Sequence, residues 1–83
     1  MYKVELSKTA EKQIHKLSKD LQKRVILTLN RIKVRPYAYV KKLVSSPYFS
    51  LRFGDYRVIL NIQDNKLIIF VIELGHRRNI YKK

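Results

Sequence analysis

Between Tyr48 and Gln63 the chain alternates side chains in a way that fits only one kind of local structure. In YFSLRF, Phe49, Leu51 and Phe53 oppose Tyr48, Ser50 and Arg52. In YRVILNIQ, Val58, Leu60 and Ile62 oppose Arg57, Ile59 and Asn61. A period of two over such a span predicts two strands, each buried on one side. The Gly54-Asp55 pair between them suits a type II′ hairpin turn, since glycine takes a positive φ at the first central position. That turn sets a register in which Phe53 faces Tyr56 and Arg52 faces Arg57. Like charges directly opposed destabilise a sheet, by about 0.2–1 kcal/mol if the scale for favourable pairs is mirrored. Two adjacent guanidiniums instead form a fork suited to phosphate oxygens. The plainer reading is a pair of solvated arginines at a strand end. His76-Arg77-Arg78, directly after the next strand, with Tyr81 three residues on, favours the anion site.

The rest of the chain supplies a partner for that hairpin. Tyr2, Val4 and Leu6 alternate with Lys3 and Glu5, predicting a first strand. Ser7 or Thr9 can cap a following helix, whose Ala10, Ile14 and Leu17 recur at helical spacing. His15 lies beside that stripe and reads as a surface residue. Ser18-Lys19-Asp20 is a short break, with Asp20 able to cap a second helix whose stripe is Leu21, Val25, Thr28, Leu29 and Ile32. Pro36 is expected to end it. A connection this short predicts an antiparallel helix pair. Residues 36–47 read as a loop, in which Lys41 and Lys42 are phosphate contacts or solvated charges. After a turn at Asp64-Asn65, Leu67–Leu74 is apolar except at Glu73 and reads as a central strand. A turn of two or three residues would set opposite registers for it, so its facing is open. The expected fold is α+β, in the order β-α-α-β-β-β. It is a single domain over 1–83, an antiparallel helix pair packed on a small, largely antiparallel sheet.

Composition bounds the chemistry. The 83 residues carry 19 Lys and Arg against 6 Asp and Glu, a net charge of +13, which points to a polyanionic partner. No cysteine is present, which removes thiolate nucleophiles and thiol-held zinc. Two histidines and few carboxylates predict no metal site and no cofactor. No apolar run approaches the ~18–20 residues of a membrane span and no apolar signal core opens the chain, so no membrane partner and a cytoplasmic location are expected. Arg52, Arg57, Arg77 and Arg78 can gather at one end of the sheet with His76 and Tyr81. Guanidiniums aimed at a phosphodiester stabilise the charge that develops as a 2′-oxygen attacks. They stay charged, so His76 is the natural proton-transfer group, and Tyr81 offers either a stacking ring or a phenol.

These residues carry a resemblance. The element order, the segment LRFGDYRVIL, the ending VIELGHRRNIY and the opening YKVELSKTAEKQIHKL resemble the RelE/ParE superfamily of toxin–antitoxin toxins, over nearly the whole chain. The ending is similar to the RelE branch. That resemblance implies a metal-independent endoribonuclease that cuts messenger RNA in the ribosomal A site, by attack of the 2′-hydroxyl on the adjacent phosphate. It implies as partners the ribosome, messenger RNA and an acidic RelB-like antitoxin that folds on binding, giving a toxin–antitoxin hetero-oligomer. It places Arg52, Arg57 and Arg77 on the family's phosphate-stabilising arginines and Tyr81 on its C-terminal tyrosine. Arg78, Lys41, Lys42, Lys82 and Lys83 are the expected RNA contacts. Tyr48 and Ser50 stand where the best-known RelE toxin has lysines, and His76 is the alternative proton-transfer group. A ParE-like gyrase poison and a non-catalytic nucleic-acid-binding module share the same expected fold.

Overall fold

The computed structural model describes residues 1–76. Among them the chain forms strand β1 (Lys3–Leu6), helices α1 (Lys8–His15) and α2 (Lys19–Arg31), a 3-10 turn (Pro36–Ala38), and strands β2 (Val40–Lys42), β3 (Phe49–Phe53), β4 (Tyr56–Gln63) and β5 (Ile68–His76). The strands make one sheet in the order β1-β5-β4-β3-β2, with β1 parallel to β5 and the other pairs antiparallel. No helix among the described residues is long and apolar enough to cross a membrane.

Both helix starts are hydroxyl-capped. Ser7 Oγ accepts the Ala10 amide at 3.0 Å, as expected for one of the two candidate caps. The second helix begins earlier than the sequence suggested: Ser18, not Asp20, caps it, accepting from Leu21 at 3.3 Å. Asp20 instead lies in the first turn, where its charge suits the helix dipole. The helix also ends at Arg31, well before Pro36, which opens the 3-10 turn.

The helices pack on one face of the sheet. Ala10, Ile14, Val25, Leu29 and Ile32 form one core cluster with Leu51, Phe53, Val58, Leu60, Ile62, Ile69, Val71 and Leu74. Every hairpin residue expected inward is there or half-buried against it, including Phe49 and Tyr56. The region 36–47 corrects the expectation of a plain loop. Val40–Lys42 pairs with Phe49–Leu51 as an edge strand, too short and too charged to show a periodic signal.

Strand β5 carries the decisive irregularity. Ile59 faces Glu73 while Leu60 faces Val71, so Ile72 is an extra residue in the ladder. A bulge of this kind shifts the pleat by one residue. Ile69 and Val71 point to the core before it, and Leu74 points to the core after it. The backbone groups it frees are taken up by the first helix. The Ser7 hydroxyl donates to the Ile72 carbonyl, and the Leu74 amide donates to Gln13 Oε1. The turn before β5 spans four residues, 64–67, with Leu67 at φ 53°, rather than the two or three expected.

A hydrogen-bonded clamp closes the far end of the sheet. The Tyr2 hydroxyl donates to Asp64 Oδ1 and the Tyr37 hydroxyl to Asp64 Oδ2, each at 2.7 Å. These bonds hold the Asp64 carboxyl below the usual carboxylate range. Tyr37 is pushed up to about 12, first by partial desolvation and then by Asp64. The Tyr2 phenol is raised chiefly by its bond to Asp64.

Candidate nucleic-acid interface

The Gly54-Asp55 turn delivers the register its sequence required. Gly54 has φ +57° and Asp55 a negative φ, as type II′ geometry demands. Arg52 lies directly opposite Arg57, and Arg57 in turn opposite Gly75 of β5. By the pleat this row faces away from the helices, on the outer face of the sheet. The next outer row runs across four strands as Lys41, Ser50, Ile59 and Glu73.

The two arginines are held differently. Arg52 is exposed, whereas Arg57 is half-buried and donates from Nη1 to Ser50 Oγ at 3.4 Å. Ser50 is the buried polar residue of the described core, 5% exposed. A hydroxyl both donates and accepts, so Ser50 can steady a guanidinium without neutralising it, as a carboxylate would. The cross-strand position opposite Arg57 on β5 is Gly75, which carries no side chain of its own. The product is a pair of cross-strand cations, one half-buried and held by Ser50 and one exposed. Such a pair suits an oxyanion whose charge is shared over several oxygens.

The other expected site residues divide. Lys41 joins the outer face beside Ser50, while Lys42 pairs with Phe49 on the helix side, its Nζ 6.0 Å from that ring centroid. His76 reaches the expected end of the sheet but not the arginine face. It pairs with Tyr56, their rings edge-on with centroids 5.6 Å apart, and Tyr56 lies 6.1 Å from Phe53 on the helix side. The bulge at Ile72 is the cause. Without it the alternation set by Ile69 and Val71 would send Glu73 inward and His76 outward. Arg77, Arg78, Tyr81, Lys82 and Lys83 lie outside the described residues.

Sequence reasoning missed Ser50 as the support of Arg57, although its phase, between Tyr48 and Arg52, already put it on the arginine face. Among the described residues no cluster of three His, Cys, Asp or Glu side chains could hold a metal ion.

Comparison with known proteins fits this arrangement. No curated protein matches the sequence. Among solved structures, the RelBE2 toxin–antitoxin complex of Mycobacterium tuberculosis is similar at 26% identity and TM-score 0.84, over 92% of this chain and 98% of that one. The archaeal RelE–RelB complex of Pyrococcus horikoshii OT3 matches at 25% identity and TM-score 0.80, over 92% and 94%. The intact E. coli RelBE complex, at 23% identity and TM-score 0.80 over 92% and 96%, shares the fold. The model of the ParE toxin of the type II toxin–antitoxin system parDE matches residues 4–81. The chain therefore belongs to this toxin family, and is a type II toxin–antitoxin toxin of the RelE/ParE superfamily.

Proposed function

We propose that the toxin is a metal-independent endoribonuclease that cuts messenger RNA in the ribosomal A site. The observation that carries this reading is the Arg52–Arg57 pair, set on the sheet face away from the helices and anchored through Ser50. In the reaction, the 2′-oxygen forms a bond to phosphorus and the bond to the 5′-oxygen breaks. One proton leaves the 2′-hydroxyl and one is delivered to the departing oxygen, so a 2′,3′-cyclic phosphate and a 5′-hydroxyl result. The arginines cannot move either proton. Their part is to hold the phosphate and stabilise its extra charge on the path to cleavage. Arg77 and Tyr81 join this assignment through the resemblance, with Tyr81 the proton-transfer candidate and His76, against Tyr56 on the other face, a positioning residue. The outer-face position of Lys41 suits an adjacent phosphate. A RelB-like antitoxin is the proposed neutralising partner, as the RelBE complexes have, with acidic segments covering the basic surface.

A second reading has its own support. The matching family model is named for ParE, and Tyr48 and Ser50 replace the lysines of the best-known RelE toxin. Under that reading the chain poisons DNA gyrase by protein contact. Incubating the purified toxin with message-programmed ribosomes, and separately with gyrase and relaxed plasmid, decides between them. Message cleavage with unaffected supercoiling is the expected result. Gyrase inhibition with intact message would replace the nuclease reading.

A further inference from the structure

A cleft of about 390 Å³ opens between α2 and the end of β3, where the short β2 no longer covers its neighbour. Arg24 and Arg31 line it from the helix, Arg52 from the strand, with Tyr39 at its rim and Leu27 and Phe53 among the apolar walls. The Arg24 guanidinium sits 5.5 Å over the Phe53 ring, which orients it without neutralising it. No carboxylate pairs with Arg24, Arg31 or Arg52 among the described residues. Arg24 and Arg31 on one side of the cleft, with Arg52 at its edge, concentrate positive charge there, and an anionic occupant relieves their repulsion.

We propose that this cleft is a second phosphate-binding site, which takes the single-stranded RNA flanking the phosphate held at Arg52 and Arg57. This rests on the RNA reading above and extends it. Arg52 is what makes the two sites continuous, because it lines the cleft and is also the cross-strand partner of Arg57. A strand held at the outer face therefore has a charged path over the sheet edge. Arg24 and Arg31 are seven residues apart on one helix face, about 10 Å along the axis at 1.5 Å per residue. That separation exceeds the reach of one phosphate, so each addresses its own. Tyr39, 48% exposed, offers a ring on which a base between them can stack. An acidic peptide would match the charge equally, but the continuity with the Arg52–Arg57 pair favours a polyanion that occupies both.

The test is binding of the full chain to non-cleavable 2′-O-methyl RNA across a range of salt. Each phosphate contact to a single strand contributes about 0.7 to the slope of log affinity against log salt. The double variant Arg24→Ala/Arg31→Ala should lower the slope by about 1.4, and should lose the affinity that wild type gains when the oligonucleotide is extended by about four nucleotides. Both residues are exposed, so the fold should persist, to be checked by thermal melting. Lys12→Ala/Lys16→Ala removes equal charge from α1 and its C-cap and should keep the length-dependent gain. An unchanged slope and gain in the Arg24/Arg31 variant overturns the proposal, as does equal loss in the lysine control. Loss of binding to a glutamate-rich amphipathic peptide, with RNA binding intact, would make the cleft a peptide site instead. RNA binding that behaves as predicted, with ribosome-bound unmodified message left uncut by wild type, would overturn the nuclease reading alone.

Discussion

Replacing Arg57 by alanine probes the phosphate cage with the least disturbance to the fold. Arg57 is half-buried on the outer face, and its neighbours Val58 and Leu60, which carry the core, are untouched. Its removal forfeits the long hydrogen bond to Ser50, at 3.4 Å, among its contacts, and relieves the like-charge opposition to Arg52. The latter is worth about 0.2–1 kcal/mol and offsets part of the loss, and melting curves separate any change in fold stability from the change in rate. The rate effect is of another order. Loss of one preorganised donor to a transition-state oxyanion lowers the rate by about 10²–10³. Arg52→Ala should act in the same direction, and more weakly, because that side chain is exposed and loosely held. If both grip one phosphate, the double variant falls little below the worse single one, rather than to the product of about 10⁴–10⁶ that independent donors would give. Arg57→Lys keeps the charge and loses the fork, and should recover only part of the rate. The assay is single-turnover cleavage of message on programmed ribosomes, with melting curves on each variant. Wild-type cleavage by a folded Arg57→Ala protein would refute the cage.

Three further outcomes follow from named contacts. His76 lies against Tyr56, on the sheet face opposite Arg52 and Arg57, so His76→Ala should reduce cleavage modestly and leave the pH–rate profile unchanged; a shifted profile would restore proton transfer to it. Asp64 has a depressed pKa when folded, so its contribution is present above its unfolded pKa and fades as pH falls through the folded one. Tyr37, raised to about 12, contributes below about 10 and loses its contribution as pH rises through about 12. Asp64→Asn should therefore remove the acid limb of melting temperature against pH and flatten the alkaline limb only in part, since desolvation of Tyr37 remains, and an unaltered profile would show that the clamp does not couple to folding. Co-purification with an acidic antitoxin should raise the melting temperature with partner concentration, and a flat response at saturation would argue against that partner.

The hairpin was the most legible part of the chain because three signals agree on it. Alternation fixed its faces, Gly54 fixed the turn, and together they fixed Arg52 against Arg57. The helices were equally plain in their stripes, though Ser18 and Asp20 are both good caps and local chemistry alone could not choose between them. What escaped depends on distant contacts. The parallel pairing of β1 with β5 joins residues some 65 positions apart, and nothing local encodes it. The bulge at Ile72 hides in an apolar run where every phase looks buried. Its one trace is Glu73, a charge at the position where Ile69 and Val71 call for an apolar residue. Reading that charge as the mark of a phase shift would have put Leu74 in the core, and His76 with it on the helix side. The α2 cleft was illegible for a different reason. Arg24 and Arg31 look like any solvated helix face until the end of β3 is placed opposite them.

The central claim is that the outer face holds a phosphate while the neighbouring 2′-oxygen attacks it. Its most direct test is a message with a single 2′-deoxy substitution at the A-site cleavage position, presented on the ribosome to the wild-type toxin in the presence of a chelator. The account predicts that the unmodified message is cut to a 2′,3′-cyclic phosphate and a 5′-hydroxyl, and that the single missing oxygen abolishes the cut there. Cleavage of the deoxy-substituted message at the same position, or none of the unmodified one, would contradict it.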